Sequence, residues 1–112
     1  MPLEANTKIN IPDGIETLNC FDYCESLASI NIPDSVKTLG GFYDTALTSI
    51  TIPSNVTEIS QSAFAYCASL KEIQIPSSVA KIDFAAFYNC EALTDVYYSG
   101  TKEQWNKINI DN

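Results

Sequence analysis

The chain repeats one short phrase four times and begins a fifth. Ile9-Asn10-Ile11-Pro12, Ile30-Asn31-Ile32-Pro33, Ile50-Thr51-Ile52-Pro53 and Ile73-Gln74-Ile75-Pro76 advance, proline to proline, by 21, 20 and 23 residues. A repeat of this length is one supersecondary unit, too small to bury its own apolar side. Copies must therefore stack into a solenoid with a shared core. Function then belongs to a repeated surface and not to one catalytic pocket.

Each position in the repeat has a physical job. Ile-x-Ile has the strand period, so both isoleucines face one side and the residue between them faces the other. The proline ends the strand, because it has no N–H to donate and holds the preceding residue extended. Asp13-Gly14, Asp34-Ser35, Ser54-Asn55 and Ser77-Ser78 turn the chain. Val56 with Ile59, and Val79 with Ile82, bring a second apolar edge back to the core. Ala63-Phe64 with Cys67, and Ala86-Phe87 with Cys90, read as a helical turn or irregular arc that closes the coil. The chain divides as one domain over 1–112, with repeats at about 6–26, 27–46, 47–69 and 70–92 and a partial repeat and cap over 93–112.

The columns predict the core. Ile52, Ile75, Val56, Val79, Phe64 and Phe87 should be nearly fully buried, and Phe21, Phe42, Phe64 and Phe87 form one core column. Tyr23, Tyr43, Tyr66 and Tyr88 flank it at offsets of two, one, two and one residues, which argues against one clean stripe. Repeats one and two are shorter between Leu18 and Phe21 and between Leu39 and Phe42. The arc there must be tighter, so Gly40-Gly41 should adopt conformations costly for other residues.

Leu70-x-x-Ile73-x-Ile75-Pro76-x-Ser78-Val79-x-x-Ile82, then Ala86-Phe87-x-x-Cys90, resembles the BspA-like leucine-rich repeat family, and the likeness covers residues 6 to 98. The tail from Val96 through Trp105 to Ile108 is similar to the segment that ends such arrays in gut-type anaerobic bacteria. The resemblance implies an α/β repeat solenoid: a right-handed leucine-rich repeat superhelix of short parallel strands on one face, with turns and short helical arcs on the others. It also implies an extracellular or cell-surface location and a protein-binding or adhesion role, with a host or other cell-surface protein as partner.

Charge narrows the partners. Six lysines, no arginine and 14 acids give a net charge of −8. Phosphate binding depends on Lys and Arg, so nucleic acid is disfavoured, as are anionic membranes. The plainer reading is a solvated acidic surface, and the alternative is attraction to a basic partner. No apolar run approaches the roughly 18 residues of a membrane span, and Met1 to Asn6 lacks the basic start and apolar core of a signal peptide. The array opens abruptly at Ile9 with no amphipathic cap. That points to a piece of a longer protein, with an N-terminal end that should fray from residue 6 to about residue 20 or self-associate.

Cys24, Cys67 and Cys90 share one repeat position, Thr45 takes it in repeat two, and Cys20 is the outlier. Cysteine packs as a small apolar group, so free buried thiols are expected. Neighbouring rungs about 4.8 Å apart would also allow a Cys67–Cys90 disulfide. Without His or C-x-x-C, no zinc site is expected.

The solvent side of the strands is the candidate binding surface. One column is Asn10, Asn31, Thr51, Gln74 and Tyr97; two places earlier come Lys8, Ser29, Ser49, Glu72 and Asp95. Amides and hydroxyls on a rigid sheet can bond a partner at little ordering cost. The same columns could merely solvate the sheet, making the array a structural spacer, and Tyr97, Tyr98 or Trp105 could stack on a carbohydrate. Thr101-x-x-Gln104 is a capping-box pattern, and Trp105 and Ile108 share a face that can cover the last rung. No nucleophile motif, phosphate loop or calcium loop is present, no carboxylate pair is singled out, and no cofactor or metal is expected.

Overall fold

The computed structural model describes residues 11–111. The elements are β1 (Thr17–Asn19), β2 (Thr38–Gly40), β3 (Ser49–Thr51), β4 (Glu58–Ile59), β5 (Glu72–Ile75), β6 (Lys81–Ile82), β7 (Asp95–Tyr98), α1 (Lys102–Asn106) and β8 (Asn109–Ile110). Every strand pairing is parallel, and the strands form two sheets, β1-β2-β4-β6-β8 and β3-β5-β7. The chain is a β-solenoid in which every repeat adds a strand to the five-stranded sheet, and the repeats from residue 47 onward add one to the three-stranded sheet as well.

The second sheet corrects the expectation of strands on one face. The Val-x-x-Ile edge does more than return to the core: Leu18, Leu39, Ile59 and Ile82 sit in register on it as a parallel ladder. Two- and three-residue strands are too short to show a period, so they leave no signal in the sequence. The three-stranded sheet holds the expected Ile-x-Ile register, with Ile50 beside Ile73 and Ile73 beside Val96. Repeat two departs from it. Ile30-Asn31-Ile32 is not a strand, and the Thr48 N–H to Ala28 carbonyl bond at its start is long, at 3.4 Å.

The proline turns work as read. Val36, Val56 and Val79 each donate N–H to the carbonyl of the proline three residues before, at 3.3, 3.2 and 3.2 Å. The residue two after each proline then ties one rung to the rung before it. Ser35 donates to the Ile15 carbonyl at 2.7 Å, Asn55 to Asp34 at 2.7 Å and Ser78 to Val56 at 2.6 Å.

The closing arcs are not helical, which corrects the second expectation. Among the described residues the one helix is α1. The arcs are turns around left-handed residues: Tyr23, Asp44, Ser62, Tyr66, Ala85 and Asn89 have φ between 55° and 64°. In every repeat a left-handed residue stands two places after the Phe. It reverses the chain within one residue, and an α-helix cannot contain such residues.

The Phe column is the centre of the core. Phe21–Phe42, Phe42–Phe64 and Phe64–Phe87 stack at 5.7, 5.3 and 5.4 Å with planes within 17° of parallel. Phe42, Phe64, Val56, Val79, Ile52 and Ile75 are buried. Phe87 is only half-buried, against expectation, because no further ring stacks on it. Phe84, Phe87, Tyr88 and Ile110 instead line an open hollow of about 460 Å³ at the C-terminal end.

The cap therefore covers one side of that end. Thr101 Oγ1 accepts the Gln104 N–H at 3.1 Å, and Gln104 Oε1 accepts the Thr101 N–H at 2.7 Å. This box starts α1, whose Trp105 meets Tyr98 edge-on at 5.1 Å, and Ile108 enters the core. Val96, which continues the Ile50–Ile73 column, stays half exposed. After α1 the chain returns as β8, a fifth strand that the sequence reading did not foresee. The stretch expected to fray or self-associate, residues 6 to about 20, lies partly outside the described residues, which begin at residue 11.

Candidate binding surface

The three-stranded sheet sets out the predicted columns from residue 49 onward. Ser49, Glu72 and Asp95 pair in one column, and Thr51, Gln74 and Tyr97 in the next. Each lies beside an inward isoleucine or valine, so the strand period turns it outward. Thr51, Gln74, Tyr97, Ser49 and Asp95 are exposed, and Glu72 is half-buried. Asn31 and Ser29 are exposed but lie in irregular chain. Asn10 and Lys8 lie outside the described residues.

These side chains shape a shallow hollow of about 450 Å³. Thr51, Gln74 and Tyr97 form one wall, and Pro53, Pro76 and Ser99 the turn beside them. Thr51 donates to Gln74 Oε1 at 3.4 Å, which orients the amide. The Ser99 hydroxyl accepts the Ser77 N–H at 2.8 Å and holds the adjoining turn. Tyr97 stands 53% exposed, so its ring is available to a ligand. Trp105 is half-buried against Tyr98, which leaves it a packing role. Asp34 also lines the hollow, which thus offers hydroxyls, one amide, a carboxylate and an aromatic face, a set suited to recognition.

One carboxylate pair escaped the sequence reading. Glu58 and Asp83 come together beside Lys81, which bonds Asp83 at 3.2 Å. A hydrogen bond with Asp83, and then burial, push the Glu58 carboxyl up. The same bond, with Lys81, holds Asp83 down. The signal was the register: Glu58 is level with Lys81, so Asp83 follows two residues on. The two carboxylates are half-buried beside the five-stranded sheet, and Lys81 is exposed.

The cysteines are free. Cys67 donates its S–H to the Phe42 carbonyl and Cys90 to the Phe64 carbonyl, both at 3.0 Å. Thr45 Oγ1 lies 3.3 Å from the Cys67 sulfur, so the Thr that replaces Cys joins the same polar thread. Burial pushes the Cys67 thiol up, and burial with Cys67 nearby pushes Cys90 up to about 11. Exposed Cys20 should label first with a thiol reagent near neutral pH, and Cys67 and Cys90, whose raised pKa values leave little of the reactive thiolate, should label slowly. The pH dependence has a definite sign. A folded pKa above the unfolded one adds stability below about pH 9 that is lost as pH rises toward 11. Denaturant titrations across that range should show the loss, and Cys90→Ala should flatten it.

Three comparisons place the chain. The description of the BspA type leucine rich repeat region matches residues 4–109 in six copies. A leucine rich cell surface protein from Faecalibacterium prausnitzii A2-165 superposes with a TM-score of 0.75 at 30% identity, covering 96% of this chain and 37% of its own. A leucine-rich repeat protein from Bacteroides ovatus ATCC 8483 superposes with a TM-score of 0.57 at 26% identity, covering 78% and 30%. This chain thus spans about a third of each of those proteins. No curated protein sequence is significantly similar to it. Among the described residues no helix is long and apolar enough to cross a membrane. With the proline-punctuated repeat, the two parallel ladders and a family match along nearly its whole length, the chain belongs to the BspA-type leucine-rich repeat family.

Proposed function

We propose that this domain is a non-enzymatic protein-recognition module of a bacterial surface protein, binding its partner on the three-stranded sheet. The observation that carries the reading is the hollow formed by Thr51, Gln74 and Tyr97 beside the proline turns. These groups stand on paired strands, so a partner bonds them without first having to order them. A surface location draws support from the Faecalibacterium protein's description as a cell surface protein. Adhesion through this face is the biological form the proposal takes. A pure spacer would need only solvation from these columns, and a sugar-binding site would rest on Tyr97 alone.

A random peptide display library selected on the folded domain tests the reading, with a glycan array in parallel. Selected peptides should lose at least about tenfold in affinity for a Thr51→Ala, Gln74→Ala, Tyr97→Ala variant of unchanged melting temperature. Equal binding to that variant would remove the strand face as the site. Glycan binding without peptide binding would favour the carbohydrate reading.

A further inference from the structure

Four tyrosines form a continuous ladder on another edge of the solenoid. Tyr23 meets Tyr43 at 5.2 Å, Tyr43 meets Tyr66 at 5.3 Å and Tyr66 meets Tyr88 at 5.6 Å. Their unequal sequence offsets had argued against such a stripe. The left-handed residue explains the outcome. It is the tyrosine itself at 23 and 66, and the following residue, Asp44 or Asn89, after 43 and 88. Rings launched from either offset therefore converge on one edge.

The ladder differs from the Phe stack in the core. Its ring planes are inclined by 52° to 77°, so the faces do not cover one another. Tyr23 is 62% exposed, Tyr66 40% and Tyr88 55%. A row of large rings left in water is a usual mark of a contact surface, and tyrosine is enriched at interfaces.

Charge says what kind of partner fits. The turns that carry the ladder, residues 20–26, 41–46, 62–69 and 84–92, hold Asp22, Glu25, Asp44 and Glu91 and no lysine. All six lysines, at 8, 37, 71, 81, 102 and 107, lie elsewhere in the chain. Asp22 Oδ1 accepts the Tyr43 N–H at 2.9 Å, which pins a carboxylate beside the second ring. Glu25, Asp44 and Tyr66 line one hollow. Burial first, and then Tyr23, Tyr66 and Asp44, push the Tyr43 hydroxyl up. Aromatic faces interleaved with carboxylates suit a guanidinium, which stacks on a ring while its N–H groups bond an acid.

We propose that this edge docks an extended, arginine-bearing segment of another protein. The segment runs along the solenoid axis and meets one tyrosine per rung. The site is separate from the strand-face hollow, so each stands or falls independently of the other.

The probe is a short peptide alternating Gly and Arg, titrated calorimetrically at physiological ionic strength, with a Gly-Lys counterpart. The folded domain should bind the Arg peptide more tightly than the Lys peptide. Neutralising the edge with Glu25→Gln, Asp44→Asn and Glu91→Gln should weaken binding about tenfold. A control with the same net charge, Asp13→Asn, Glu16→Gln and Glu103→Gln, should weaken it far less. Tyr23→Ser with Tyr88→Ser, both exposed, should match the edge variant at an unchanged melting temperature. No binding, equal losses in the edge and control variants, or full affinity in the tyrosine variant would each overturn the proposal. The first would show no site, the second non-specific charge attraction, and the third a site elsewhere.

Discussion

Phe64→Ala should lower stability by about 3–5 kcal/mol in a denaturant titration, and Phe87→Ala should cost clearly less. Both occupy the same repeat position, so the sequence predicts equal costs. The stack separates them. Phe64 is fully buried, with Phe42 on one face at 5.3 Å and Phe87 on the other at 5.4 Å. Removing it opens a cavity that two rings and the strands around them cannot collapse into. Phe87 has a ring on one face and an open hollow on the other, so its truncation exposes a surface that water already reaches. A cost below about 1 kcal/mol at Phe64, or equal costs at both sites, would show that the column is not a continuous stack.

Gly41→Val should be among the most damaging single changes, at more than about 3 kcal/mol. Gly41 has φ +83°, and a Cβ there would fall on the Cys20 backbone nitrogen and lie 2.5 Å from the Asn19 carbonyl carbon. The obstacle is main chain of the neighbouring rung, which cannot step aside as a side chain would. Ser62→Val provides the comparison. Ser62 is also left-handed, at φ +55°, but it already carries a Cβ. Its replacement should cost only the added strain of a branched side chain, and melting curves of the two variants should separate widely. Matching curves would mean that rungs one and two do not approach closely at Gly41.

The legible parts of this fold are those that recur with the same residue types in each repeat. Ile-x-Ile and the turn after it do so beside the proline, and the Phe column follows the proline by 9 residues in repeats one and two and by 11 in repeats three and four. The structure stacks the Phe column throughout and keeps the Ile-x-Ile register from residue 49 onward. The parts missed lack either a period or a fixed offset. β4 and β6 are two residues long, and nothing about Glu58-Ile59 by itself signals a strand. The tyrosine ladder was hidden because a left-handed turn equalises offsets that differ in sequence. Phe87 was misjudged because periodicity describes an interior rung and says nothing of what lies beyond the last one. The strand-face candidates were legible as columns. That Thr51, Gln74 and Tyr97 share a hollow with the turn prolines depended on three dimensions.

The parallel register has a consequence for how the chain folds. Each rung-to-rung pairing joins residues 20 to 23 apart in the repeat interior, as in Thr17 with Thr38, Thr38 with Glu58 and Glu58 with Lys81. Among the described residues no hairpin offers a cheaper first step, so the earliest ladder there must close a loop of that size before any pairing rewards it. Once two rungs exist, each new rung closes one more loop of the same size onto a finished edge. Folding is then slow to nucleate and steady to propagate. Its rate belongs in the millisecond-to-second range of non-local β topologies, although no contact in the ladder reaches further than the next turn of the coil.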